Sequence, residues 1–118
     1  MKENMLDYDK ENDILFIHRK DIKTKGSVEV LGGDIIIDFS KDKQVVGIEI
    51  MNASELLKPY NITKSMLLGA LAGNIKVVQQ RNLLFLTIVL KMPKNVEKEA
   101  ILTVPSLVSE PSPVAVEA

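Results

Sequence analysis

The sequence contains no cysteine, which excludes disulfides, thiol catalysis and zinc sites built on thiolates. It also has no tryptophan, only three phenylalanines and two tyrosines, so it offers few stacking surfaces for single-stranded nucleic acid. The longest apolar run, Leu83–Leu90, is far shorter than the roughly 20 residues of a transmembrane helix. The first residues are charged and show no secretory signal, so a cytoplasmic protein is expected.

The composition that remains is that of an ordinary globular protein. The chain has 118 residues, of which 46% are hydrophobic and 26% charged, and this predicts a single folded domain. A net charge of −1 gives no overall attraction to nucleic acid or anionic lipid, and neither is expected as a partner. Residues 106–118 contain two prolines and no periodic pattern, so we predict a folded domain over 1–105 and a disordered tail over 106–118.

A β-hairpin in the middle of the chain is the clearest structural signal. Two runs rich in β-branched residues, Asp34–Phe39 and Val45–Ile50, flank the polar loop Ser40–Gln44. Side chains alternate between the two faces of a strand, so one face should be apolar and the other acidic. The apolar face would hold Ile35, Ile37, Phe39, Val46, Ile48 and Ile50, and the opposite face Asp34, Asp38 and Glu49.

Further strands are predicted on both sides of this hairpin. They are Met5–Asp9, Ile14–Arg19, Ser27–Leu31, Ile75–Gln80, Leu83–Met92 and Glu99–Val104. Thr63 is a natural N-cap and Gly73 suits a left-handed C-terminal position, which predicts a helix over Lys64–Ala72. One or two helical turns are expected at Ser54–Lys58, before Pro59. The fold class is therefore α+β: about seven to eight mostly antiparallel strands and one short helix near 63–73.

Part of this pattern resembles a known family. The order YD (Tyr8, Asp9), Asp13 with ILFI, then DIIIDF, VVGIEI and AS (Ala53, Ser54) resembles a family of small prokaryotic proteins known only as a domain of unknown function. The resemblance covers about residues 5–54, and VVGIEI-AS is its specific part. The turn SKDKQ lacks the expected glycine, which implies a longer or differently shaped loop. The resemblance implies an α+β fold rich in antiparallel strands, and it transfers no catalytic residue.

Acidic residues at alternate positions raise the question of a metal site. They are Asp7, Asp9, Glu11 and Asp13. A calcium-binding loop counted from Asp7 would need glycine at its sixth position and a bidentate glutamate at its twelfth. Those places hold Asn12 and His18, so the pattern favours a solvated strand face and a turn. We therefore predict no metal and no cofactor.

His18 is the only histidine, so a general base of the ordinary kind is either His18 or a carboxylate. A polar residue near the end of a strand is the commoner role for a lone histidine. The basic segment His18–Lys25, with Phe16 and Tyr8 nearby, could in principle bind nucleic acid, but the slight acidity of the chain favours a solvated loop. No catalytic residue is assigned.

For function, the sequence favours a non-enzymatic binding or assembly module. Several strands look apolar on both faces while only one short helix is available to cover them, which predicts a homodimer. A second sheet formed by the C-terminal half is the alternative cover. The resemblance adds an antitoxin-like role with a small protein partner, since such proteins are sometimes encoded beside a toxin-like protein. The competing function is a small-ligand-binding protein or hydrolase-type enzyme that uses His18 and nearby carboxylates.

Overall fold

Strand pairing divides the chain into two antiparallel sheets. The computed structural model describes residues 4–105 and 115–117, the latter by their backbone alone. The strands are β1 (Asn4–Asp9), β2 (Ile14–Arg19), β3 (Gly26–Val30), β4 (Ile35–Phe39), β5 (Val45–Ile50), β6 (Ala72–Gln80), β7 (Leu83–Met92), β8 (Val96–Pro105) and β9 (Ala115–Glu117). The helices are α1 (Ala53–Leu56) and α2 (Lys64–Gly69), and single 3-10 turns lie at Leu31–Gly33, Lys58–Tyr60 and Pro93–Asn95.

The first sheet, sheet A, has the strand order β1-β2-β5-β4-β3, and the second, sheet B, has the order β8-β7-β6-β9. All pairs are antiparallel. This confirms the prediction of mostly antiparallel strands with short helices. The described residues form nine strands in two sheets, one more than the upper end of the predicted range. Within the described residues no helix has the length and apolarity needed to cross a membrane.

The hydrophobic core lies between the two sheets. Alternation directs one side chain of every two inward, and the fully buried members include Leu15, Ile17, Ile35, Ile37, Ile48, Ile50, Leu86, Ile88 and Leu90. The predicted apolar face of the central hairpin is confirmed for Ile35, Ile37, Ile48 and Ile50, and Phe39 packs against the core. The prediction is wrong at Val46. The pairing shifts by one residue after Asp38, so Val45 lies opposite Phe39 and joins the core cluster, whereas Val46 is buried outside that cluster.

The predicted helix over Lys64–Ala72 is too long. Thr63 caps it as expected, accepting from the Met66 N–H over 3.2 Å, but α2 ends at Gly69 and Ala70 is extended. Gly73, predicted as the C-terminal cap, lies in β6 instead. A Cβ built there would lie 2.9 Å from both Leu6 Cδ1 and Ile17 Cδ1, so Gly73 lies in close contact with sheet A and a larger residue would displace these side chains.

The C-terminal strands also differ from the prediction. β8 begins at Val96, ahead of the predicted Glu99, because it pairs with β7 along its whole length. Residues 115–117, within the segment predicted to be disordered, form the short strand β9 beside β6. The rest of the predicted tail lies outside the described residues.

Candidate functional site

The residues that carry the resemblance form a hydrogen-bond network between the β1–β2 turn and α1. The Tyr8 hydroxyl donates to Asp13 Oδ1 over 2.5 Å, and the Ser54 hydroxyl donates to Asp13 Oδ2 over 2.7 Å. The backbone N–H of Ser54 donates to the same carboxylate, and that of Ala53 donates to the Asp13 carbonyl. These residues therefore fasten the turn to the helix.

The hydrogen bonds to Asp13 favour its ionised form. Burial opposes its charge, but hydrogen bonds from Tyr8 and Ser54 and the positive charge of Lys64 outweigh burial, so the pKa of Asp13 is lowered. Burial and the hydrogen bond to Asp13 raise the pKa of Tyr8 well above its ordinary value. Tyr8 stays a donor and Asp13 an acceptor over the ordinary pH range, which is a structural role.

The acidic ladder is divided between this turn and the strand before it. Asp9 Oδ1 accepts from the backbone N–H groups of Glu11 and Asn12, which closes the turn. Asp13 serves the network, and Asp7 lies opposite Phe16 on the outer face of sheet A. Within residues 4–105 no three histidine or carboxylate side chains are arranged to hold a metal ion.

A transverse row of alternating acidic and apolar side chains crosses the outer face of sheet A. Its members, in strand order β1-β2-β5-β4-β3, are Asp7, Phe16, Glu49, Ile36 and Glu29. The central three are half-buried, and the two outer carboxylates are exposed. We call this row, together with Asp38 of the neighbouring row, the acidic face.

Asp38 is a buried carboxylate, only 4% exposed. Its Oδ1 accepts from the Ser27 hydroxyl over 2.6 Å. Between Asp38 and His18 lies Gly47, where a built Cβ would be 3.1 Å from Asp38 Oδ2 and 2.4 Å from His18 Cδ2. The glycine of VVGIEI thus makes room for a ring and a carboxylate above β5.

The His18 ring is held at both nitrogens and on one face. Nδ1 lies 2.6 Å from the Arg19 carbonyl and Nε2 lies 2.7 Å from Thr24 Oγ1. Since a carbonyl only accepts, Nδ1 carries the proton, and in the neutral ring Nε2 accepts from the Thr24 hydroxyl. The ring also stacks on Phe16, with centroids 5.6 Å apart.

The electrostatics of the acidic face centre on Glu49. Burial raises its pKa first, the negative charge of Asp38 raises it further, and His18 opposes both. Within the described residues neither Asp38 nor Glu49 has an ion-pair partner. The sequence had predicted that both would point away from the core, but it could not show that they meet Asp7 and Glu29 from other strands.

Two other predicted features are separated from this face. Arg19 of the basic segment points inward, is 5% exposed and contacts Asp21 at 3.2 Å, so only part of that segment is a solvated loop.

On the outer face of sheet B, Leu83 and Ile101 are 41% and 45% exposed, with Phe85 half-buried next to Leu83 along the same face. Three shallow concave regions formed by described residues do not include His18 among their lining residues. One of the three adjoins the acidic face, since Asp7, Phe16 and Lys20 line it.

Sheet A is the part of the chain that matches a known family model. Residues 5–54 match the model of a family described as protein of unknown function (DUF2283), and this stretch spans all of sheet A except its first residue. An uncharacterized protein from Methanocaldococcus jannaschii is 35% identical over 101 residues, which are 81% of this chain and 82% of that protein. A Methanosarcina mazei protein, provisionally named hypoxanthine phosphoribosyltransferase, is 36% identical over 75 residues, 64% of this chain and 53% of its own length. No solved structure matches.

Proposed function

Since the chain belongs to the family of proteins of unknown function (DUF2283), we propose from its geometry that it is a non-enzymatic binding module whose acidic face takes a basic protein partner. The observation that carries the proposal is the transverse row Asp7–Phe16–Glu49–Ile36–Glu29. It alternates carboxylates with apolar side chains across the five strands of sheet A.

Charge is the first argument. The outward side chains of the five strands include four carboxylates of the acidic face and no lysine or arginine, although the whole chain carries a net charge of only −1. Burial without a cation is unfavourable for Asp38 and Glu49. A lysine or arginine from a partner would supply the missing charge and restore the ordinary pKa of Glu49.

Spacing is the second argument. Neighbouring strands lie about 4.8 Å apart, so carboxylates on alternate strands are roughly 10 Å apart, with Phe16 or Ile36 between them. Met5, 44% exposed, adds apolar surface beside His18 at the β1 end. The partner surface that fits has basic side chains separated by apolar ones.

An antitoxin-like role is the specific form of this proposal. A small acidic face that covers basic groups on a toxin-like protein would neutralise that protein by occupying its charged surface. The sequence pI of about 5.8 is on the acidic side, as a partner of a basic protein would be.

The test uses a synthetic peptide of alternating lysine and leucine as the probe, measured by fluorescence anisotropy at low salt. Glu49→Gln combined with Asp7→Asn should weaken binding by roughly tenfold, because two charges of the row are lost. The matched control is Glu97→Gln combined with Glu99→Gln, which removes two exposed charges from β8. The control should bind like the unaltered protein.

Equal weakening by both double variants would contradict the proposal, since it would show a general attraction of opposite charges. A glutamate-leucine peptide should not bind. Salt should weaken the lysine peptide because the contacts lie near the surface.

A second candidate is a hydrolase-type enzyme, and one observation favours it. Thr24 Oγ1 and His18 Nε2 are within hydrogen-bond distance and the Arg19 carbonyl orients the ring, which is the arrangement of a nucleophile and its base. The enzyme name of the Methanosarcina relative adds a phosphoribosyl group, whose negative charge the acidic face would repel.

Incubation with p-nitrophenyl acetate, followed by mass spectrometry, distinguishes the two functions. A hydrolase would become acetylated at Thr24, and both Thr24→Val and His18→Gln would abolish the label. A binding module would show no label at Thr24, and its peptide binding would survive Thr24→Val.

A further inference from the structure

We infer that two copies of this chain associate through β3, adding strand to strand around a two-fold axis at Ser27. This inference names the surface and the partner for self-association. Dimerisation does not require the acidic face to bind a basic protein, although Glu29 belongs to both surfaces.

The open edge of β3 is the first reason. Among the described elements β3 makes substantial contact only with β4 and the 3-10 turn that follows it. Four of its five residues, Gly26–Glu29, are exposed, and the strand contains neither proline nor lysine. An exposed strand edge of this kind offers unpaired backbone groups to another strand.

The other two edges with described side chains have features that β3 lacks. β8 contains Lys98 and Pro105, and its Ile101 carbonyl accepts a hydrogen bond from the Tyr60 hydroxyl. β1 is tied to the other sheet, since Asn4 Nδ2 donates to the Gly73 carbonyl over 2.8 Å. Such capping is how proteins keep edge strands from associating.

Charge sets the register of the pairing. With the axis at Ser27, antiparallel pairing places Lys25 opposite Glu29 of the partner subunit, and the same pair recurs on the other side of the axis. Lys25 is already extended along β4, because its N–H donates to the Phe39 carbonyl over 2.7 Å. An axis at Val28 would instead place the two Glu29 side chains diagonally across from each other, which is repulsive.

Shape agrees with the same register. Val28, on the core-facing side of the strand edge, is 40% exposed. Pairing centred on Ser27 sets it against Gly26 of the partner subunit, and a Cβ built on Gly26 meets no atom within 4 Å. The Val28 side chain therefore fits into the unoccupied space above Gly26 of the partner subunit. The dimer would join two copies of sheet A into one sheet of twice the width.

Charge reversal tests the register directly. Each protein is examined at micromolar concentration by size-exclusion chromatography with light scattering. The unaltered chain should run as a dimer, and either Lys25→Glu or Glu29→Lys alone should weaken dimerisation by roughly tenfold or more, since two attractive pairs become repulsive. The double variant carrying both changes should regain the dimer because its pairs are attractive again.

Glu99→Lys on the edge strand β8 of the other sheet is the matched control and should leave the dimer intact. Hydrogen exchange of the β3 amides gives a second readout that does not rely on mass, and it should be slower in the dimer than in either single variant. A monomer at all accessible concentrations would overturn the inference. So would a dimer that both single variants retain, or one that the double variant fails to restore.

Discussion

At the scale of single residues, Glu49 is held where its charge is least favourable. It is half-buried beside Asp38 and forms no ion pair with the described residues. A residue with a stability cost of this kind is common at a binding site, where the partner offsets it. Replacement of Glu49 by an uncharged residue should therefore raise the stability of the fold and weaken the binding of a basic partner.

Glu49→Gln is expected to raise the melting temperature by roughly a few degrees at pH 7. The pKa of Glu49 is raised in the folded protein above the ordinary value of 4.5, so the stability linked to this group is fully present below that value. It is lost as the pH rises through the folded pKa, and glutamine escapes the loss. Thermal melts from pH 4 to pH 8 should show the two proteins converging at the acid end, and a less stable variant at pH 7 would contradict the assignment.

Tyr8→Phe removes the hydroxyl that bonds Asp13 and should cost about 1.5–3 kcal/mol of unfolding free energy, since the acceptor is charged. The raised pKa of Tyr8 means that its contribution is present below the ordinary value of 10 and is lost as the pH rises beyond it. Urea denaturation at pH 8 and pH 11 should show that the difference between the two proteins shrinks at the higher pH. An unchanged difference would indicate that the hydroxyl acts by packing alone.

At the scale of secondary-structure elements, the contact of β6 with sheet A depends on a missing side chain. Gly73→Ala should cost about 1–3 kcal/mol, because its new methyl group would meet Leu6 and Ile17 at 2.9 Å. Gly69→Ala is the matched control. It meets no atom within 4 Å at the end of α2 and should be neutral or slightly stabilising. Chemical denaturation measures both, and equal effects would show that the sheets are not in close contact at Gly73.

Much of each element could be predicted from the sequence, but the way the elements combine could not. Alternation correctly directed Ile37 and Ile48 inward and Glu49 outward, because it depends only on local geometry. The acidic face required the pairing of β2 with β5, two strands distant in sequence, and no local pattern encodes such a pairing. Gly73 was misassigned for the same reason, since its partners Leu6 and Ile17 lie in the other sheet.

At the scale of the whole molecule, the orientation of sheet A is tested by two isoleucines on neighbouring strands. Ile48 is fully buried against sheet B, so Ile48→Asp should cost several kcal/mol of a total near 5–15 and prevent folding. Ile36 lies on the outer face, and Ile36→Asp should give a soluble protein that melts cooperatively. Circular dichroism and thermal melts compare them. A folded Ile48→Asp variant would show that the two faces are assigned the wrong way round.

The second sheet changes the argument for a dimer. The sequence predicts a dimer because several strands look apolar on both faces and another copy would cover them. In the structure, β6, β7 and β8 of the same chain cover much of that apolar surface. Self-association remains a prediction, and it now rests on the edge of β3 instead of on apolar faces.

The boundary of the family-matched region falls inside the hydrophobic core. It ends at residue 54, just after the last strand of sheet A, so the matched stretch supplies one face of the core while β6, β7 and β8 supply the other. A protein that contained only this stretch would expose an apolar layer to water. It would need a different downstream sequence, or another molecule, to cover that layer.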